Sequence, residues 1–168
     1  MVPLVLQCAL FLVPINIFVI GDWLATGIQW GLFRYQQSYL GNSLIFFYKD
    51  ISYIISGAIT GRSILAAEFN VAASLFLLLA FCILLYIYVE ESITYLKTAA
   101  LITIAGGFLF LLSDVIQYGV FFHGMTGFAI PVGVPVILVC GWWMYQMRFP
   151  DTELEGADET KPVHGDEA

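Results

Sequence analysis

The sequence predicts a membrane-embedded bundle of four helices that carries a small antiparallel β-sheet outside the bilayer. Three observations lead to this fold class. The chain of 168 residues is 60% hydrophobic and only 11% charged, with a mean hydropathy of +0.88. Residues 69–89 form an uncharged run between Glu68 and Glu90. Residues 22–68 are too polar for a simple spanning helix, yet they are rich in the aromatic and β-branched side chains that favour strands.

The run 69–89 is the clearest predicted membrane helix. At about 1.5 Å per residue it would extend about 30 Å, which matches the hydrocarbon thickness of a bilayer. A helix in the core of a soluble protein rarely needs apolar residues on all its faces over such a length. The glutamates on either side of the run mark where the chain meets water. We therefore expect an integral membrane protein.

Three further membrane helices are predicted, over residues 2–21, 98–122 and 125–147. The first has no charged side chain before Asp22, and it lacks a clear basic n-region and cleavage site, so we expect a retained helix rather than a cleaved secretory signal. The third is interrupted only by Asp114. The fourth contains Pro131 and Pro135 near its start, which predict a kink or a distorted first turn.

The segment 22–68 predicts an antiparallel sheet outside the bilayer. Alternation of apolar residues around Trp30 and a turn signal at Gly41 and Asn42 indicate strands, and residues 51–65 are expected to add another. The alternative is that residues 44–66 form a re-entrant or additional membrane helix, interrupted at Lys49 and Asp50. The residues of this loop that we expect to contact a partner are Trp30, Tyr35, Phe47, Lys49 and Asp50. For Lys49 and Asp50, a solvated strand end is the preferred interpretation and a binding site is the alternative.

The predicted membrane domain covers residues 1–149, and an acidic tail follows over residues 150–168. The tail has seven acidic residues and one lysine, Lys161, so it accounts for most of the net charge of −7. It has no aromatic side chains and too few aliphatic ones to bury a core, so we expect it to be disordered. This acidity argues against a nucleic-acid partner. A solvated tail, a partner-binding tail and a salt-adapted surface all remain open.

The loop resembles the signature of the claudin-like superfamily of four-helix membrane proteins. Trp23 lies just after the first predicted helix, and Gly31, Leu32 and Phe33 are similar to the Gly-Leu-Trp that follows the signature tryptophan in that family. Phe33 stands in place of the family's second tryptophan. The resemblance implies a four-helix bundle with a sheet between the first two helices.

Two further motifs extend the resemblance across the predicted second and third helices. Arg62 resembles the arginine that often precedes the family's second helix, and Gly106 with Gly107 resembles a Gly-Gly pair in its third. The family's loop also carries two cysteines that form a disulfide. The cysteines of this chain all lie in predicted membrane helices: Cys8, Cys82 and Cys140. We therefore expect a distant relative whose sheet is stable without a disulfide.

The orientation follows from positive charges next to helix ends. The loop side and the opposite side of the predicted bundle carry three basic residues each, but Lys97 and Arg148 adjoin helix ends, where the positive-inside effect acts. The resemblance points the same way. We expect a multi-pass protein of the cell membrane with both termini in the cytoplasm.

The sequence shows no motif of an enzyme or of a cofactor site, and we expect neither. The resemblance implies protein–protein contact in adhesion, in a barrier or as an auxiliary subunit, with membrane lipids and other membrane proteins or copies of itself as partners. Asp114 is the one carboxylate inside a predicted membrane helix, which makes it a functional candidate. It serves packing, a proton or cation path, or partner contact. The alternative function is therefore a small oligomeric ion channel or transporter that uses Asp114. Gly106 and Gly107 are expected to let another helix approach closely.

Overall fold

The computed structural model describes residues 2–21, 23–90, 95–124 and 127–147. The predicted acidic tail lies outside these residues. The described residues form five helices and six strands. In chain order these are α1 (Val2–Leu12), β1 (Asn16–Ile20), β2 (Ala25–Gln29), β3 (Phe33–Ser38), β4 (Gly41–Phe46), α2 (Phe47–Ile55), α3 (Arg62–Glu90), α4 (Leu96–Tyr118), β5 (His123–Gly124), β6 (Gly127–Ile130) and α5 (Gly133–Gln146).

The strands form one antiparallel sheet in the order β4-β3-β2-β1-β6-β5. The predicted antiparallel sheet is thus confirmed, but its strands come from three parts of the chain. Strands β2, β3 and β4 lie in the predicted loop. Strand β1 lies within the predicted first membrane helix, and β5 and β6 lie between α4 and α5. The pairing of β1 with β6 therefore brings the start of the chain next to the segment that precedes α5.

The prediction of one helix over residues 2–21 is wrong beyond Leu12. Pro14 has no backbone N–H, and it disfavours helical backbone at the residue before it. The β-branched and aromatic residues that follow favour extended structure. The backbone N–H of Ile15 donates a 2.6 Å hydrogen bond to the carbonyl of Gln29, which begins the pairing of β1 with β2.

The prediction of one helix over residues 125–147 is also wrong. Strand β6 comes first, and α5 begins only at Gly133. The backbone N–H of Gly133 donates a 2.9 Å hydrogen bond to the carbonyl of Ile15, which ties the start of α5 to the start of β1. An added Cβ at Gly133 would lie 2.4 Å from the carbonyl oxygen of Pro14. Only glycine allows this approach of the two backbones.

The predicted loop differs from expectation in its second half. The β3–β4 turn falls at Tyr39 and Leu40, whereas Gly41 and Asn42 already pair within β4. Residues 51–65 contain no strand; they belong to α2, a connection and the start of α3. The alternative of an additional membrane helix is not seen, since α2 has only nine residues.

Among the described residues, α3 and α4 are long and apolar enough to cross a membrane. They have 29 and 23 residues, whereas α1 and α5 have 11 and 14. The predicted bundle of four membrane-crossing helices is therefore corrected to two long apolar helices with shorter helices packed beside them. The shared core joins α1, α3, α4, α5 and the residue before β1; its buried members are Leu10, Ile15, Ala73, Leu77, Phe110, Val134 and Ile137.

Candidate functional site

One row of polar side chains crosses the face of the sheet that is turned toward the helices. Asn16 of β1 pairs with Gln29 of β2, which pairs with Arg34 of β3. Paired residues of antiparallel strands point to the same face, so these three side chains lie side by side. Asn16 and Gln29 are buried, and Arg34 is half-buried. The sheet therefore presents a polar surface to the helices instead of a purely apolar one.

A half-open cavity of about 260 Å³ lies between this face of the sheet and the ends of α3 and α4. Part of its lining is apolar and includes Phe18, Ile20 and Ile59. Its main polar lining residues are Asn16, Gln29, Arg34, Asn70, Asp114 and Gln117. Within the described part of the chain, Arg34 and Asp114 are its charged lining residues. A cavity with this lining has the character of a binding site for a small polar molecule.

Asp114 lies at the sheet side of the cavity and is 4% exposed, as is Asn16. Asn16 Nδ2 donates a 2.7 Å hydrogen bond to Asp114 Oδ1. The other oxygens of the pair, Asn16 Oδ1 and Asp114 Oδ2, are buried without a hydrogen-bond partner among the described residues. Buried polar atoms are nearly always satisfied in native proteins, by protein groups, water or a ligand. Two buried acceptors without a partner therefore belong to residues that line the cavity.

Arg34 forms an ion pair with Asp50 of α2. Arg34 Nη2 lies 2.8 Å from Asp50 Oδ1, although the contact does not have the alignment of a good hydrogen bond. Burial raises the pKa of Asp50, and the charge of Arg34 opposes this rise. Arg34 Nε is buried without a hydrogen-bond partner in the described ranges. A buried donor without a partner therefore belongs to a third residue that lines the cavity.

Side-chain hydrogen bonds join α4 to α3, and α1 to both of these helices. Ser113 Oγ donates a 2.7 Å hydrogen bond to the carbonyl of Ala66, which joins α4 to α3 beside the cavity. Deeper in the bundle, Gln7 Nε2 of α1 donates to the carbonyl of Leu77 at 3.1 Å. Thr103 Oγ1 lies 3.2 Å from Gln7 Oε1. Polar contacts of this kind position helices in an apolar environment.

The glycine pair of α4 faces two different helices. An added Cβ at Gly106 would lie 3.4 Å from atoms of α3, and one at Gly107 would lie 3.0 Å from Ile137 and Leu138 of α5. Both glycines are therefore at contacts within the chain, where they allow α4 to lie between α3 and α5.

The residues of the predicted loop signature do not come together. Trp23 is exposed at the β1–β2 turn with φ of 64°, and its ring meets Phe128 edge to face. Gly31 is buried at the opposite end of the sheet, where an added Cβ would lie 3.5 Å from Leu77 and Phe11. The carbonyl of Leu32 accepts a hydrogen bond from the N–H of Phe47.

Aromatic contacts anchor the other end of the loop. Phe33 stacks on Trp30 with ring centroids 4.9 Å apart, and Trp30 Nε1 donates a 3.1 Å hydrogen bond to the carbonyl of Leu12. Trp30 thus ties the β2–β3 connection to the end of α1. Arg62 is exposed at the first position of α3.

The predicted partner-contact residues differ in how far their side chains are exposed. Tyr35 on β3 and Lys49 on α2 are exposed, and Phe47 at the start of α2 is half-buried. Asp50 is buried against Arg34, so its interpretation as a solvated strand end is wrong. Both Lys49 and Asp50 lie in a helix and not in a strand.

Sequence reasoning found Asp114 but missed its partners. Asn16 lies in a run that reads as a membrane helix, and no motif distinguishes Gln29 or Arg34 from the other polar residues of the predicted loop. A signal was present: Pro14 followed by Asn16 and four consecutive β-branched or aromatic residues is typical of a strand. The pairing of Asn16 with Asp114, 98 residues apart, has no signal in a single sequence.

The residues that the structure describes contain no group of three or more His, Cys, Asp or Glu side chains able to hold a metal ion. Comparison with protein-family models, with curated proteins and with solved structures finds no match to this chain. The class of protein therefore has to be inferred from the fold and the cavity themselves.

Proposed function

We propose that this chain is a non-enzymatic, multi-pass protein of the cell membrane, of claudin-like type, in which the β1–β2 and β3–β4 turns of the sheet lie outside the bilayer and contact another membrane protein or a second copy of the chain. Helices α3 and α4 support the membrane part of this proposal. Apolar side chains on both helices remain exposed, including Leu79, Val89 and Leu101. Lipid is the environment that covers such surfaces without cost.

The observation that carries the contact function is an apolar tip at the far end of the sheet. The β1–β2 and β3–β4 turns lie at the same end, because Ala25 pairs with both Ile20 and Ser38. Four large residues on these turns form the tip and are exposed by 73%, 58%, 79% and 82%: Trp23, Leu24, Tyr39 and Leu40. The opposite end of the sheet, with Gly31, packs on the helices.

An apolar tip of this kind is expected to be covered in the working protein. Contiguous exposed apolar residues mark interaction sites, and Trp and Tyr are the residues most enriched at the centres of protein interfaces. Because the tip is on turns of a sheet anchored at its other end, it projects away from the helices. This arrangement supports contact with a partner outside the membrane.

The test is site-specific photocrosslinking in native membranes. A photoreactive residue at Leu40 should form an adduct with a protein partner or with a second copy of the chain, and the matched control is the same residue at Gln37, exposed on β3. Trp23→Ser should reduce the Leu40 adduct without changing the amount of protein in the membrane. An adduct yield at Leu40 no greater than at Gln37 would refute the contact function.

A second candidate function is an ion channel or transporter, and the buried, incompletely bonded Asp114 favours it. The measurement is proton or cation flux into liposomes that hold the purified protein. We expect no flux. Robust flux in the wild-type protein that Asp114→Asn abolishes would replace the contact function with transport.

A further inference from the structure

We propose that the cavity between the sheet and the helices binds a small organic ammonium ion that carries an N–H donor and an oxygen acceptor. This binding site is separate from the apolar tip and does not depend on the contact function. Two polar groups that line the cavity, called its poles below, are the Asn16–Asp114 pair and Arg34. Its apolar wall includes Phe18 and Ile20.

The charges around the cavity favour a ligand with one positive charge. Arg34 forms an ion pair with Asp50, whose carboxylate balances the positive charge of the guanidinium group. This leaves Asp114 without a cationic partner among the charged lining residues that the structure describes. A buried carboxylate without a counterion is costly, and a cation in the cavity selects the ionised form. An anionic ligand would instead be repelled by Asp114.

The unsatisfied atoms specify the hydrogen bonds of that ligand. Asn16 Oδ1 and Asp114 Oδ2 are acceptors, so they require donors from the cavity. A primary ammonium group has three such donors, whereas a quaternary ammonium group has none. Arg34 Nε is a donor and requires an acceptor, which a hydroxyl or ether oxygen supplies. A molecule that carries both an ammonium group and an oxygen offers the matching partner to each pole.

The size and lining of the cavity distinguish this ligand from a bare metal cation. A single dehydrated cation would leave most of the roughly 260 Å³ unfilled and Arg34 Nε unpaired. The carbon atoms of a short amine can instead lie against Phe18, Ile20 and Ile59. The cavity therefore offers an apolar wall for the carbon atoms of the ligand and a larger set of polar side chains for its ammonium and oxygen.

Two sources supply this chemistry: a free amino alcohol and the ethanolamine headgroup of a phospholipid. Asp114 is four residues before the end of α4, so the cavity lies near one end of a predicted membrane helix, at a depth that a lipid headgroup can reach. The shared element is a primary ammonium with a nearby oxygen. The experiment below separates the two sources.

The experiment uses the full-length protein in nanodiscs made of phosphatidylcholine. Titration with 2-aminoethanol at neutral pH, followed by calorimetry and by the thermal midpoint, should show saturable binding. Choline and sodium chloride at the same ionic strength should bind at least roughly tenfold more weakly, because they lack N–H donors. Nanodiscs with added phosphatidylethanolamine should weaken the apparent affinity for 2-aminoethanol if the headgroup is the natural ligand, and leave it unchanged if a free amine is.

The variants locate binding in the cavity. Asp114→Asn keeps the size of the side chain and should weaken 2-aminoethanol binding by about tenfold or more, since it removes the charge. The matched control, Gln37→Ala on the exposed strand surface, should leave the affinity unchanged. Absence of saturable binding to the wild-type protein, equal binding of choline, or an Asp114→Asn variant with unchanged affinity would overturn the proposal and indicate a water-filled cavity. The comparison of 2-aminoethanol with choline on the wild-type protein decides the matter even if Asp114→Asn fails to fold.

Discussion

Asn16 Nδ2 donates a 2.7 Å hydrogen bond to Asp114 Oδ1, and this bond joins the central strand β1 to helix α4. Both side chains are almost fully buried, so water competes little for the bond. The contact links the sheet to the helices, and the second oxygen of each side chain has no hydrogen-bond partner among the described residues. A structural bond and a candidate binding site thus share the same two residues.

The Asn16–Asp114 bond should be measurable as a coupling free energy. We expect Asp114→Leu and Asn16→Leu each to lower the free energy of unfolding by about 1–3 kcal/mol, because each leaves a buried polar partner unsatisfied. The double variant should cost less than the sum of the two, whereas Asp114→Asn should be mild. Reversible denaturation in detergent measures all four proteins. Strictly additive single-variant effects would show that the two residues do not interact.

The junction of β1 and α5 should tolerate no side chain at Gly133. Gly133→Ala would place a Cβ 2.4 Å from the Pro14 carbonyl oxygen and 2.8 Å from the Ile15 Cα, so a backbone segment must move. We expect a loss of about 1–3 kcal/mol, typical of overpacking. Gly31→Ala is the matched control, because its Cβ would make ordinary contacts at 3.5 Å. Equal thermal midpoints for the two variants would contradict this account of the junction.

The fold could be predicted from the sequence where the physical signal is local. A long uncharged run identifies α3 because length and hydropathy alone suffice, and β-branched and aromatic alternation identifies the sheet. The predictions of one helix over residues 2–21 and over residues 125–147 are wrong because a short apolar helix joined to an apolar strand has the same composition as one membrane helix. In both cases a proline, Pro14 or Pro131, stands beside the change of structure.

The candidate site was less predictable than the fold, and the reason is topological. Asp114 stands out as an acid in an apolar run, but its surroundings depend on β1 pairing with β2 and on β2 pairing with β3. A register shift of one residue would turn Asn16, Gln29 and Arg34 away from the helices. Register is set by contacts distant in sequence, so the polar row could not be derived from the chain alone.

The expected orientation, with both termini in the cytoplasm, predicts which introduced cysteines a membrane-impermeant thiol reagent reaches. In a background with Cys8, Cys82 and Cys140 changed to alanine, Gln37→Cys on the sheet should be labelled in intact cells. Thr98→Cys, exposed near the start of α4 at the other end of the helices, should be labelled only after permeabilisation. The opposite pattern would place the sheet in the cytoplasm. Labelling of both in intact cells would show that α4 does not cross the membrane.

Asp50 predicts a pH dependence of stability with a definite sign. Burial in α2 raises the pKa of its carboxyl above the ordinary value of 3.8, although Arg34 opposes this effect. The folded protein therefore binds this proton more readily than the unfolded chain does. The resulting contribution to stability is fully present below the unfolded-state pKa and is lost as the pH rises through the folded-state pKa.

We expect the thermal midpoint of the wild-type protein to carry a component that falls as the pH rises above the ordinary Asp value of 3.8 and through the folded-state pKa of Asp50. Asp50→Asn removes the titrating group, so that component should disappear and the midpoint should depend less on pH over this range. Glu68→Gln is the matched control, because Glu68 is exposed on α3 and its change should leave the slope as it is. The opposite result is a wild-type midpoint that falls as the pH is lowered and an Asp50→Asn midpoint that does not. That result would show that the ion pair with Arg34 outweighs burial and lowers the folded-state pKa of Asp50.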